Sequence, residues 1–146
     1  MLTDKGRLYG DLTVACYSED HFMLFGSGAM QDAHSRWFRQ TLPDDVMHEN
    51  QTGEWHGVAI SGPRSRELLS KITRDDVSAD AFRFRDTRQT YVGGVPVLLN
   101  RLSFSGELGY EIYCRSQYLL RLAEAIEQAG DNLCLLYTSP SPRDRG

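Results

Sequence analysis

The chain has 146 residues, with 40% hydrophobic, 25% charged and 10% aromatic residues and a formal net charge of −4. This composition differs from those of disordered, collagen-like and disulfide-rich proteins and excludes these classes. The length is sufficient for one domain with a buried core. Basic residues are scattered among acids in no continuous stripe, so nucleic acid is not an expected partner.

The first predicted elements are a hairpin and a helix. Thr13–Tyr17 and Phe22–Phe25 are β-branched or apolar runs separated by the polar stretch "SEDH", a pattern typical of two strands joined by a turn. After "GSG", apolar residues recur at helical spacing, which predicts a helix from about Ala29 to Gln40. Val46–Asn50 is predicted as a short strand.

The middle of the chain predicts a strand, a tight turn and a helix. Trp55–Ser61 has the composition of a strand, and Pro63 stands at a suitable first helical position for "GPRSRELLSKI". Further along, two strands flank Gly93-Gly94, a dipeptide that suits a tight hairpin turn.

The last predicted elements are a strand at Tyr110–Cys114 and a helix within "SQYLLRLAEAIEQAG", with Gly130 just past the helix end. Most of the predicted strands occur as consecutive pairs that form hairpins. We therefore predict an α+β fold with antiparallel hairpins and packed helices, and not a parallel doubly wound sheet.

The cysteines and the hydropathy pattern give information about the cellular compartment of the protein. Cys16, Cys114 and Cys134 are far apart and show no C-x-x-C spacing, which argues against a disulfide framework and a zinc site, so no metal is expected. No apolar run approaches the roughly 20 residues that cross a bilayer, and no signal peptide is recognisable. We expect a cytoplasmic protein, or one of the mitochondrial matrix if the source is eukaryotic, without a membrane partner.

The final residues differ in character from the rest. The stretch "LCLLYTSPSPRDRG" contains a Ser-Pro-Ser-Pro run that is typical of a linker. The residues from Cys134 to Asp144 also resemble a translated sequencing-library adapter. On this interpretation the natural domain comprises residues 1–132, and residues 133–146 are a non-native tail that carries no functional information.

Two carboxylates are the main candidates for chemistry. Asp11 precedes an apolar strand, where it either caps the preceding turn or is a partly buried group able to exchange a proton. Glu111 lies inside a predicted strand, and alternation places it with Tyr113 on the face opposite Tyr110 and Ile112. Because glutamate is uncommon inside strands, that face is expected to be wet or to bind something. Glu107, between glycines, is expected on an exposed turn.

The other candidates give weaker signals. The four histidines lie one to an element without ligand spacing, and each is interpreted as a surface or satisfied core residue. The sequence has no G-x-S-x-G elbow, P-loop, H-E-x-x-H motif or G-x-G-x-x-G fingerprint. Cys16 and Cys114 are expected to behave as small hydrophobic residues.

Four collinear segments carry a family resemblance: "MLTDKGRLYGDLTV", "DHFMLFGSGAMQDAHSRWF", "GVAISGPRSRELLSKIT" and "RLSFSGELGYEIYC". Together they resemble the folate-binding aminomethyltransferase family, that of the glycine-cleavage T-protein, over nearly all of residues 1–132. The resemblance implies a partial aminomethyltransferase folate-binding fold.

Within the family, the first two segments look more like the tetrahydrofolate domain at the C-terminal end of dimethylglycine and sarcosine dehydrogenases. T-proteins usually have paired aspartates where this chain has Gly10-Asp11, and an asparagine where it has Ser27. The resemblance therefore implies a fragment of a flavoenzyme whose FAD domain, a partner in the same natural chain, lies upstream.

The resemblance also implies roles for individual residues. Asp11 matches the family's catalytic aspartate, and Glu111 matches the glutamate that hydrogen-bonds the pterin ring. Phe104 stands where a tyrosine often contacts the folate, and Ser27 and Thr13 match the lining of the same pocket. The family's downstream arginine has no counterpart in residues 1–132.

The implied activity is capture of a one-carbon unit by tetrahydrofolate, giving 5,10-methylenetetrahydrofolate, with the fragment incomplete as an enzyme on its own. Two alternatives stay open. One is a glycine-cleavage aminomethyltransferase, which takes its carbon from a lipoyl-bound aminomethyl group. The other is a non-catalytic folate-binding relative.

Overall fold

The computed structural model describes residues 1–136, which form two compact units, Met1–Trp55 and the chain from His56 onward. The first unit contains β1 (Thr13–Ser18), β2 (His21–Phe25) and α1 (Gln31–Thr41). The second unit begins within the next strand and contains β3 (Trp55–Ser61), α2 (Ser65–Ile72), β4 (Thr87–Val92), β5 (Val95–Asn100), β6 (Gly109–Arg115) and α3 (Leu119–Gly130). The predicted α+β class with antiparallel hairpins is confirmed.

The first unit is built on the predicted hairpin. β1 and β2 pair antiparallel, with Thr13 opposite Phe25 at the open end. In the connecting turn the Ser18 hydroxyl donates to Asp20 Oδ1 at 2.6 Å, which lowers the pKa of that carboxyl. A 3₁₀ turn at Gly28–Met30 leads into α1, so the predicted helix is confirmed with its first turn tightened.

His34 is the most buried polar side chain of the first unit, with 7% of its surface exposed. A Cβ placed on Gly10 would lie 2.6 Å from His34 Nε2, and one placed on Gly26 would lie 3.3 Å from Nδ1. The imidazole is therefore seated against two glycines whose missing side chains make room for it. These glycines immediately precede Asp11 and Ser27, so this packing positions two predicted site residues.

The second unit is a four-stranded sheet in the order β3-β6-β5-β4 with α2 and α3 packed against each other. β5 pairs antiparallel with both β4 and β6. The β4–β5 turn is Gly93-Gly94, with φ of +59° and +76°, as a two-residue hairpin turn of this hand requires. The core is formed by alternate strand residues and the inner faces of the helices, chiefly Ile60, Leu69, Phe82, Val92, Val97, Leu99, Tyr110, Ile112, Leu122 and Ile126.

Three predicted boundaries were wrong, each for a local reason. Val46–Asn50 forms no strand, because the segment packs through the ring of His48 on Phe38, at 5.1 Å between centroids, and not by strand pairing. Pro63 precedes α2, because a turn closed by the Ser65 amide donating to the Gly62 carbonyl occupies those residues. Gly130 is the last residue of α3 and does not follow it.

The predicted non-native tail lies only partly within the described residues. Leu133, its first residue, is 7% exposed and belongs to the core cluster of the second unit. Residues 137–146 lie outside the described residues, so the proposed origin of the tail stays a prediction.

The packing of the His34 ring against Gly10 can be tested directly by mutation. We expect Gly10→Ala to destabilise the protein by about 1–3 kcal/mol, because the new methyl group forces a buried ring to move. Gly28→Ala is the matched control, since an added methyl group there would meet no atom within 4 Å and the φ of Gly28 is not in the left-handed region. Urea unfolding curves measure both variants. Equal stability of the two would contradict the packing described.

Candidate functional site

β6 carries two faces of opposite character. Tyr110, Ile112 and Cys114 are completely buried in the core, whereas Glu111 and Tyr113 are half-buried on the other face. The predicted alternation is therefore confirmed. Burial raises the pKa of the Cys114 thiol, which keeps it protonated and unsuited to act as a nucleophile.

Tyr113 holds the carboxylate of Glu111 in place. The Tyr113 hydroxyl donates a hydrogen bond of 2.8 Å to Glu111 Oε2. The ring of Tyr113 in turn lies against the backbone of Gly57 on β3, where an added Cβ would stand 2.6 Å from a ring carbon. Within residues 1–136, the Glu111 carboxylate forms neither an ion pair nor a second hydrogen bond. The other carboxylate oxygen is therefore available to a ligand.

Asn100 lies directly across the sheet from Glu111. The two are Cα partners in the β5–β6 register, so their side chains project from the same face. On the other side, Thr87 of β4 is the Cα partner of Asn100, and its hydroxyl donates to Asn100 Oδ1 at 2.6 Å. We call Thr87, Asn100, Glu111 and Tyr113 the polar row.

One donor of the polar row has no partner. Asn100 is 1% exposed, yet its Nδ2 makes no hydrogen bond within the described part of the chain. A buried donor left in this condition costs about 1–3 kcal/mol, and native structures contain few of them. This unpaired donor and the unpaired carboxylate oxygen of its cross-strand partner Glu111 together suit a ligand that presents both an acceptor and donors.

The loop between β5 and β6 is tied down at both ends. Arg101 donates from Nη1 to the Gly109 carbonyl at 2.9 Å and lies over the Tyr110 ring, 5.2 Å from its centroid. At the other end, the Leu108 carbonyl accepts hydrogen bonds from the Ser65 hydroxyl and the Gly62 amide. These contacts fix the loop beside the start of β6.

The tip of this loop is exposed. Phe104 has a relative exposure of 104%, so its ring packs on no other residue of the described range. Gly106 has a φ of +80°, which requires glycine in the turn, and Glu107 is exposed beside it. The prediction that Glu107 lies on an exposed turn is confirmed. Phe104 is free to stack on a ligand, although it makes no contact with Glu111 here.

In the first unit, Asp11, Thr13 and Ser27 come together at the open end of the β1–β2 hairpin. Thr13 is paired with Phe25, so Asp11 and Ser27 each lie two residues beyond that pair on adjacent chain segments. All three side chains are exposed. The alternative in which Asp11 is partly buried is therefore wrong. Within residues 1–136, no hydrogen bond to its carboxylate supports the turn-capping alternative either.

The predicted site residues thus fall into two groups. Asp11, Thr13 and Ser27 belong to the first unit, and Phe104 and Glu111 belong to the second. Asn100 was missed by the sequence reasoning, since an asparagine after the run "VPVLL" is typical of a strand terminus. The signal that could have identified it is the tight Gly93-Gly94 turn, which pairs Asn100 with Thr87.

The described residues contain neither a metal-binding cluster nor a membrane-spanning helix. No group of three or more His, Cys, Asp or Glu side chains among residues 1–136 is arranged to bind a metal ion. None of the helices in that range is long and apolar enough to cross a membrane.

Comparison with known proteins provides independent information. Human mitochondrial dimethylglycine dehydrogenase is 38% identical over 134 residues, covering 89% of this chain and 15% of that protein. The aminomethyltransferase of Bacillus subtilis is 31% identical over 145 residues, covering 99% of this chain and 40% of that protein. The chain thus spans less than half the length of either relative.

The fold has a counterpart among solved structures. Heterotetrameric sarcosine oxidase from Corynebacterium sp. U-96, in complex with pyrrole 2-carboxylate, superposes with a TM-score of 0.71 at 17% identity, covering 89% of this chain and 65% of that chain. Residues 1–137 match the family described as the GCVT N-terminal domain. This match includes every described residue and confirms the family resemblance of the sequence motifs. The protein therefore belongs to the GCVT N-terminal domain family.

Proposed function

We propose that the chain is the tetrahydrofolate-binding part of a one-carbon transfer enzyme of the dimethylglycine or sarcosine dehydrogenase type, which forms 5,10-methylenetetrahydrofolate. The observation that carries the proposal is the Glu111 carboxylate, held by Tyr113 on the face of β6 that points away from the hydrophobic core. The similarity to dimethylglycine dehydrogenase supports the choice of subfamily.

The donor and acceptor chemistry of the second unit fits a pterin. A pterin ring offers adjacent N–H donors on one edge, and the Glu111 carboxylate can accept both, because Oε2 keeps a second lone pair beside its hydrogen bond from Tyr113. The exposed ring of Phe104 supplies an aromatic surface, although a phenylalanine here lacks the hydroxyl of the tyrosine common in the family. Glu111 would orient the pterin, and Phe104 would cover one side of it.

Asp11 of the first unit is the proposed proton-exchanging group, and Ser27 and Thr13 are proposed as residues that contact the folate. Bound tetrahydrofolate supplies the nitrogen that accepts the one-carbon unit. The contribution of the chain is then to hold the reactants in orientation and to place a carboxylate where positive charge develops. A flavin domain elsewhere in the natural chain would deliver the carbon by oxidising an N-methyl amine.

The alternative of a glycine-cleavage aminomethyltransferase is supported by the 31% identity to the Bacillus subtilis aminomethyltransferase. The two functions differ in the source of the carbon, which is a flavin site in one and a lipoyl-bound aminomethyl group in the other. Sequence upstream of residue 1 in the natural gene distinguishes them, because a dinucleotide-binding glycine fingerprint there favours the dehydrogenase.

The role of Glu111 is tested by folate binding in the full natural protein. We expect Glu111→Gln to weaken the affinity for tetrahydrofolate about 10- to 100-fold, because a charged acceptor is replaced by a neutral amide. Glu107→Gln is the matched control, since Glu107 is exposed on the turn and is expected to have no effect. Calorimetric titration measures both, and unchanged affinity in Glu111→Gln would remove Glu111 from the site.

The role of Asp11 is tested by turnover. We expect Asp11→Asn to lower the rate of one-carbon transfer at least about 100-fold while tetrahydrofolate affinity stays near that of the parent protein, because only proton exchange is lost. Asp4→Asn, an exposed aspartate in the same unit, serves as the control. Unchanged turnover in Asp11→Asn would exclude Asp11 from the chemistry. Absence of transfer activity in the parent protein would favour the non-catalytic folate-binding alternative.

A further inference from the structure

We propose that Asn100 is a second residue that recognises the pterin ring, and that its Nδ2 donates a hydrogen bond to the 4-oxo group of the ligand. The inference rests on the proposed folate site and extends it from Glu111 to the neighbouring strand. It makes Asn100 a specificity-determining residue that selects 4-oxo over 4-amino pteridines.

The orientation of the Asn100 amide follows from its hydrogen bond to Thr87. The oxygen of the Thr87 hydroxyl lies 2.6 Å from Asn100 Oδ1. This length is typical of O–H···O bonds and short for N–H···O bonds, so the amide oxygen, and not the nitrogen, faces Thr87. The nitrogen is thereby directed away from β4, and it has no partner within the described residues.

The position of the unpaired nitrogen relative to Glu111 follows from the strand register. Asn100 and Glu111 are direct cross-strand partners, whose Cβ atoms stand about 4.5–5.5 Å apart on one face of an antiparallel pair. The sheet thus presents an N–H donor beside a carboxylate acceptor whose other oxygen is held by Tyr113.

This pair of groups matches the edge of a pterin ring in order as well as in kind. Along that edge a carbonyl oxygen is followed by a ring N–H and then by an exocyclic amino group, which makes one acceptor followed by two donors. With the donors opposite Glu111, the carbonyl faces the next strand, where Asn100 lies. The buried amide nitrogen then gains the partner that the chain itself does not provide.

A ligand pair that differs at position 4 tests this assignment. Folic acid carries the 4-oxo group, and 4-aminofolic acid carries an amino group there and has lost the N–H of the adjacent ring nitrogen. 4-Aminofolic acid therefore lacks one hydrogen bond to Glu111, and this difference between the two ligands is the same in the parent protein and in every Asn100 variant. A change in the affinity ratio between the two ligands thus reports on Asn100 alone. Calorimetric titration of the full natural protein provides both affinities.

We expect Asn100→Ala to lower the ratio of the folic acid affinity to the 4-aminofolic acid affinity at least about tenfold. The 4-oxo ligand loses a hydrogen bond from Nδ2, whereas the 4-amino ligand is relieved of an unfavourable contact between two donors. Asn100→Asp is expected to lower it further, since its carboxylate accepts from the 4-amino group. Asn50→Ala, an exposed asparagine of the first unit, is expected to leave the ratio unchanged. Circular dichroism establishes which variants are folded, and either Asn100 variant, if folded, is sufficient for the test.

The outcomes separate this inference from the proposed function. If the parent protein binds folic acid and Glu111→Gln weakens binding, but the ratio in the Asn100 variants stays within about twofold of the parent value, the role of Asn100 is wrong and the folate site remains. If the parent protein binds neither pteridine, the folate site itself is wrong, and the inference falls with it.

Discussion

The antiparallel register between β5 and β6 is the constraint on which the proposed site depends. It places Asn100 opposite Glu111 and Leu99 opposite Ile112. A slip of one residue would turn Glu111 into the apolar core and expose Ile112, because side chains alternate strictly between the two faces of a strand. Burial of Leu99 and Ile112 therefore fixes the register and, with it, the polar row on the opposite face.

The rest of the second unit maintains this arrangement. Gly57 leaves room for the ring of Tyr113, whose hydroxyl orients Glu111, and Thr87 orients the amide of Asn100. Arg101 ties the β5–β6 loop to the first residue of β6. Each polar group of the row is thus oriented by a neighbour within the sheet. This arrangement leaves one amide donor and the remaining lone pairs of the Glu111 carboxylate to a ligand.

Much of the fold could be predicted from the sequence, because its local signals agree with its packing. Gly93-Gly94 marked the β4–β5 turn, and alternation in β6 put Glu111 on the correct face. The segment Val46–Asn50 was mispredicted, since composition does not reveal that a strand lacks a partner. Asn100 was missed for a related reason: its importance depends on which residues lie across from it, and pairing across the long β5–β6 loop is not encoded locally.

The likeness to other proteins and the geometry support the proposed function in different ways. Family membership rests on residues 1–137 as a whole and does not depend on any single side chain. The ligand assignment depends on the polar row alone. The chain spans 15% of human dimethylglycine dehydrogenase, so the enzymatic activity is a proposal and not a property shown by the comparison.

The most direct test of the central claim is a crystal structure of the full natural protein with tetrahydrofolate bound. We predict that the pterin ring lies against the β5–β6 face, with its N–H edge within hydrogen-bond distance of the Glu111 carboxylate and its 4-oxo group facing Asn100. A pterin bound away from both side chains would contradict this claim.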